Sequence, residues 1–218
     1  MTYTFAALKD QHRLVRAQQQ ESLSLRIHRS LSWLGKAEDS NDEDSRFIFL
    51  WIAFNAAYAQ KHQERTFFTE RDRYGAFISK LVDLDKDDLL ADLVWSEFSN
   101  TIRIILNNEF IFPDFWRYQS GEISNQEWQL ARHNATAAAH AALGQSDTAT
   151  VLAITLSRLY ILRNQIMHGG ATYNSQTNRK QLKDCTQLLG KLVPRIIAIM
   201  MNSNHTLWGE AAYPVVKD

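Results

Sequence analysis

The sequence predicts an all-α protein, a helical bundle of about six or seven helices in one domain over residues 1–218. Three observations lead there. Only three prolines and eight glycines punctuate 218 residues, so turns are too sparse for many short strands. Apolar residues recur at helical spacings through long segments. No run alternates apolar and polar residues for long enough to make a strand. An apolar content of 45% is enough for a sizeable core.

Residues 10–34 carry Leu14, Leu23, Leu25, Ile27, Leu31 and Leu34 among Arg and Gln and read as the first helix. The acidic, serine-rich "AEDSNDEDS" is a linker that supplies N-caps to the next helix, about 43–62. That helix contains "FIFLWIAFNAAYA", apolar on nearly every face and so expected at the centre of the bundle, with Asn55 as its polar interruption. "TERD" (69–72) offers a Thr cap for a helix reaching Leu84, and Asp85 is expected to start another through "LLADLVWSEFSNTIRIIL". "NNEFIFPDFWRYQSG" reads as an aromatic-rich connection around Pro113. "SNQE" (124–127) is a capping box for a helix ending near Gly144. Asp147 caps the next, about 148–168, and the last long helix spans about 176–201, with Pro194 expected to kink or break it. The core helices are thus 10–34, 43–62, 148–168 and 176–201, and the stretch 66–145 resembles an insertion among them. Trp208 and Tyr213 are expected to pin the tail to the body.

Net charge is zero, which excludes a surface coated throughout for nucleic acid. Between Arg158 and Arg195, however, seven Lys/Arg face the single Asp184, while acid collects at 38–44 and 83–92, so one basic face is expected. The longest apolar runs, "FIFLWIAF" and "VLAITL", fall short of a membrane span, and the N-terminus lacks the pattern of a signal peptide. The single Cys185 excludes an internal disulfide and fits a reducing, cytoplasmic setting.

The stretch "LRNQIMHGG" (162–170) joins an Arg–Asn pair to a His and two glycines at the end of an apolar run. Asn164 and His168 are four apart and share a helix face. Arg163 and His168 are five apart, about 140° around an ideal helix; the length of Arg and a place in the last turn would let their tips converge. Gly169 is the left-handed residue that ends a helix, and Gly170 leaves space beside the ring. A His there, at the negative end of the helix dipole, suits a group that transfers a proton near neutral pH. The plainer reading is a capping His and an Arg that binds a neighbouring acid. The spacing by itself leaves both open.

"RNQIMHGG" resembles the signature of the HEPN superfamily (higher eukaryotes and prokaryotes nucleotide-binding), helical bundles with an Arg–polar–x–x–x–His motif at a helix end. Trp51, Phe54, Asn55 and Tyr58 resemble a Trp-x-x-Phe-Asn-x-x-Tyr segment of several bacterial branches. The resemblance implies a metal-independent endoribonuclease without cofactor. The RNA 2′-hydroxyl would attack the adjacent phosphate, leaving a 2′,3′-cyclic phosphate and a 5′-hydroxyl. Arg163 would fork onto the phosphate oxygens, His168 would transfer the proton, and Asn164 would hold the ring or the phosphate. Asn55 and Gly169 would support these groups or the substrate. It further implies a homodimer with a composite active site, an antitoxin or regulatory protein as partner, and a role as toxin or antiviral effector. The alternative is a catalytically silent module of the same kind that binds a nucleotide or a protein.

Other constellations point to less. His133 and His140 are seven apart with no third ligand in view, so no metal site is expected. No Glu-x-x-His pair, P-loop or Gly-x-Gly-x-x-Gly is present. Cys185 reads as a small core residue. Trp95, Phe98, Phe110, Phe112, Phe115 and Trp116 read as core, with Phe115 and Trp116 beside Pro113 the candidates for stacking on bases.

Overall fold

The computed structural model describes residues 3–59, 70–176, 179–206 and 208–213. Among these there are ten α-helices and no strand: α1 Phe5–Val15, α2 Glu21–Glu38, α3 Glu43–Tyr58, α4 Glu70–Leu84, α5 Leu89–Asp92, α6 Ser99–Asn107, α7 Pro113–Gln119, α8 Asn125–Gly144, α9 Thr148–Met167 and α10 Arg179–Asn202. The all-α bundle is as the sequence predicts, but with more and shorter helices.

The extra helices have identifiable causes. The expected helix 10–34 is two helices, because the chain leaves α1 through a 3₁₀ turn at Arg16–Gln18 and runs extended at Gln19. α2 then folds back along α1: the Phe5 amide donates to the Glu38 carboxylate at 2.9 Å, and the Ser24 hydroxyl lies 3.3 Å from the His12 ring. Gly35 permits this approach, since a Cβ there would stand 3.0 Å from the Phe5 ring. Leu14, one of the apolar positions of that periodicity, is 80% exposed on α1. Asp85 does not start its helix. Its carboxylate instead accepts the Leu89 and Leu90 amides at 3.0 and 2.7 Å, after a left-handed Asp88. The connection around Pro113 is itself a helix, with proline in the first turn where its missing N–H is not needed. The Thr69 cap and residues 60–62 of the predicted 43–62 helix lie outside the described residues.

Other caps fall where expected. Asp42 accepts the Ser45 amide, Ser124 and Glu127 form the reciprocal capping box, and Asp147 accepts the Thr150 amide at 3.0 Å. Pro194 neither breaks nor ends α10, which runs through it.

The centre is shared between α3 and α10. One face of α3 buries Phe47, Leu50, Trp51, Phe54 and Ala57, while α10 is buried all round from Leu192 to Met201. Its exposed Lys180 and Lys183 belong to its first half, so the helix as a whole looks amphipathic. Arg195 is tolerated in this buried half because Glu97 pairs with it. Glu97 is presented by a π turn at Leu93–Glu97, from which Trp95 also donates its indole N–H to Thr148 at 2.9 Å. Within the stretch 66–145, α4 and α6 supply Tyr74, Phe77, Ile78, Ile102 and Ile105 to the same core, whereas α8 buries only Trp128, Ala139 and Ala142.

The tail is pinned by one of its two aromatics. Trp208 is buried against Phe77, and its carbonyl accepts from Arg26, whose guanidinium also serves the Ala57 carbonyl. Burial without a carboxylate pushes Arg26 down to about 10. The Tyr213 ring is 87% exposed; only its carbonyl is held, by Arg29.

Candidate functional site at the end of α9

Both ends of α9 are anchored. Its start is held by the Asp147 cap and by Trp95 on Thr148. Its end closes in a Schellman motif: the Gly169 amide donates to the Ile166 carbonyl at 3.3 Å and the Gly170 amide to Gln165 at 2.7 Å. Gly169 has φ +72, the left-handed conformation the sequence predicts. Gly170 is required for a different reason, since a Cβ there would meet the Gln165 carbonyl oxygen at 3.1 Å. The pair of glycines therefore ends the helix within one residue of His168.

This termination presents three side chains at the surface. Arg163 and Asn164 are half-buried and His168 is exposed. Arg163 donates to the Asn164 side-chain oxygen at 2.8 Å and lies 5.5 Å from the centre of the Tyr160 ring. Among the described residues no carboxylate pairs with Arg163, so the acid partner of the plainer reading is missing. His168 makes no hydrogen bond through its ring to any described residue, Arg163 and Asn164 included.

Asn55 lies on α3, the helix that meets α9 through Trp51. Its side-chain oxygen is buried and finds no protein donor, and no hydrogen bond joins it to Arg163, Asn164 or His168. The link from α3 to the site is aromatic instead: Trp51 lies 6.1 Å from Tyr160, on which Arg163 rests.

The helix end is also joined to the 3₁₀ turn Glu109–Ile111 that leads into α7. The Phe110 carbonyl accepts both the Gln165 amide, at 2.7 Å, and the Trp116 indole N–H, at 2.8 Å. Trp116 is 44% exposed and Phe110 39%. Phe115 packs edge-on against Phe110, Trp116 and Trp128. Phe115 thus holds the cluster together, and Trp116 is the ring that reaches water. Gln165 and Phe110 escape a reading of the sequence, because a carbonyl oxygen leaves no residue-type signal.

The basic run from Arg158 to Arg195 does not form one face. Arg158 is buried with its guanidinium carbon 3.3 Å from the centre of the Phe112 ring, Arg179 pairs with Asp44 at 2.6 Å, and Arg195 pairs with Glu97. These cations lie on two helices, and they turn to the core, to α3 and to the π turn. His133 and His140 are both exposed on α8, and among the described residues no group of three His, Cys, Asp or Glu is placed to hold a metal. Cys185 is fully buried, and that burial pushes its thiol well up from its ordinary value. Among the described residues no helix is long and apolar enough to cross a membrane.

No family model, curated protein or solved structure matches this chain. Function has to be read from the side chains themselves.

Proposed function

We propose that the end of α9 is the active site of a metal-independent endoribonuclease of HEPN type. Arg163 holds the scissile phosphate, Asn164 orients Arg163, and His168 moves the proton between the 2′-hydroxyl and the leaving 5′-oxygen. The observation that carries this reading is a cation with no carboxylate partner, half-exposed on the same helix end as an exposed imidazole. A guanidinium with no acid to neutralise it keeps its charge and its fork for an anion. Trp116, joined to the same helix end through Phe110 and Gln165, supplies a stacking surface for an unpaired base, which favours single-stranded RNA.

On an ideal helix Arg163 and His168 stand about 140° apart, a spread that favours a site completed by a second copy. Two copies related by a two-fold axis near His168 would place an Arg163 opposite a His168, and exposed Met167 and Trp116 provide apolar surface for that contact. The same exposed apolar side chains favour the rival reading, a silent module that binds through this face.

Cleavage of single-stranded RNA in EDTA separates the two. Wild type should cut and leave a 2′,3′-cyclic phosphate. His168→Ala should lose about 10²–10⁴-fold and Arg163→Ala a comparable factor. Arg163→Lys should rescue little, because a point charge lacks the bidentate fork. Light scattering should give a dimer. Equal cleavage by wild type and His168→Ala would mark a contaminant, binding without cleavage would establish the silent module, and a monomer that cleaves would remove the composite site.

A further inference from the structure

α1 and α2, with Phe49 of α3, line an open cleft of about 820 Å³ that shares no residue with the end of α9. That is the size of a small-molecule site, about 300–1,000 Å³. Lys9 and Arg13 follow one another at helical spacing along α1, Arg16 stands three residues on in the 3₁₀ turn, and Lys36 joins them from α2. Against these four cations the lining has one carboxylate, Asp39. The chain as a whole has zero net charge, so this excess is local.

The cations are not consumed by the fold. The Lys9 and Lys36 amines lie over the Phe5 and Phe49 rings at 4.9 and 5.9 Å from their centres, which leaves their N–H donors free to turn outward. Arg13 spends one nitrogen on the exposed Asp10, at 2.9 Å. Among the described residues no carboxylate pairs with Arg16. Positive charge is felt inside the cleft: His12 is held below the ordinary imidazole range by burial first, then by His28 and Arg16. The same cleft has an aromatic wall. Trp33 stacks on Phe49 at 5.7 Å and 29°, and remains 37% exposed.

We infer that this cleft binds a nucleoside phosphate, its phosphate held by Arg16, Arg13 and Lys9 and its base laid against Trp33. Phosphate oxygens take charge-assisted hydrogen bonds from just such a cluster, and an indole face accepts any base. A bare anion would have no use for the ring, and an apolar ligand none for the cations.

The test is calorimetry on the full chain at low ionic strength, with AMP, adenosine and inorganic phosphate as probes. AMP should bind more tightly than either part alone. Trp33→Leu should weaken AMP about tenfold and leave phosphate unchanged; Arg16→Ala should weaken both AMP and phosphate. Both side chains are exposed, so the variants should stay folded, which circular dichroism checks. His168→Ala should bind AMP as wild type does, so this site and the ribonuclease reading can fail separately. No binding of AMP at millimolar concentration overturns the inference, as do folded variants that bind like wild type. Equal affinity for AMP and phosphate removes the base-stacking half, and an oligonucleotide that binds far more tightly than AMP would make the cleft part of a strand groove instead.

Discussion

At the scale of single residues, the end of α9 depends on two glycines that do different work. Gly169 is needed for its left-handed backbone and has nothing near its missing Cβ; Gly170 is needed for space. Gly169→Ala should therefore cost about 1–2 kcal/mol, the steric penalty of a left-handed L-residue, seen as a lower urea midpoint with unchanged slope. If the midpoint does not move, the helix end relaxes without cost and the Schellman closure is not what holds His168. Arg163 illustrates the same economy. Its bond to Asn164 restrains the guanidinium without neutralising it, as the phosphate-binding role proposed for it requires.

At the scale of elements, α9 delivers the site because its far end is fixed. Asp147 caps it, and its hydrogen bonds to the Thr150 amide and side chain hold its carboxyl below the usual carboxylate range. A depressed folded value means the unfolded chain binds the proton more readily, so the stability from this cap is present above the ordinary value of 3.8 and lost as pH falls through the lower folded value. Asp147→Ala should cost about 1 kcal/mol at neutral pH. Asp147→Asn keeps the acceptor and should cost less while removing this part of the acid dependence. Urea midpoints of the three proteins at neutral and strongly acidic pH decide it, and parallel pH profiles would contradict the assignment.

For the whole molecule, the decisive polar contact is Glu97 with Arg195, which joins the π turn to the buried half of α10. The Arg195 side chain is 10% exposed and Glu97 33%, so the two are not equivalent. Glu97→Ala leaves a buried cation with only the Lys191 carbonyl and should destabilise by up to about 3 kcal/mol. Arg195→Met should cost less, because the remaining carboxylate can turn to water while the thioether fills the space. Denaturation midpoints in the reverse order would show that Glu97 is well solvated and the pair adds little.

The sequence by itself determined the all-α class, the caps at Asp42, Ser124 and Asp147, and the helix stop at Gly169. Each is set by neighbours within a turn of the chain: periodicity, a side-chain oxygen beside free amides, a residue able to take positive φ. The three motif side chains were legible for the same reason. What only the tertiary structure decided is which of these local features meet. The break at Arg16–Gln20 carries no glycine or proline, and it sends α1 back across α2 to build the cationic cleft. The burial of α10 through Pro194 depends on α3 beside it and on Glu97, 98 residues away in the chain. The basic run was scattered because its cations are divided between α9 and α10, which pack against different partners. The union of Gln165 with Phe110 and Trp116 passes through a backbone carbonyl, an atom every residue has and no pattern of residue types can mark.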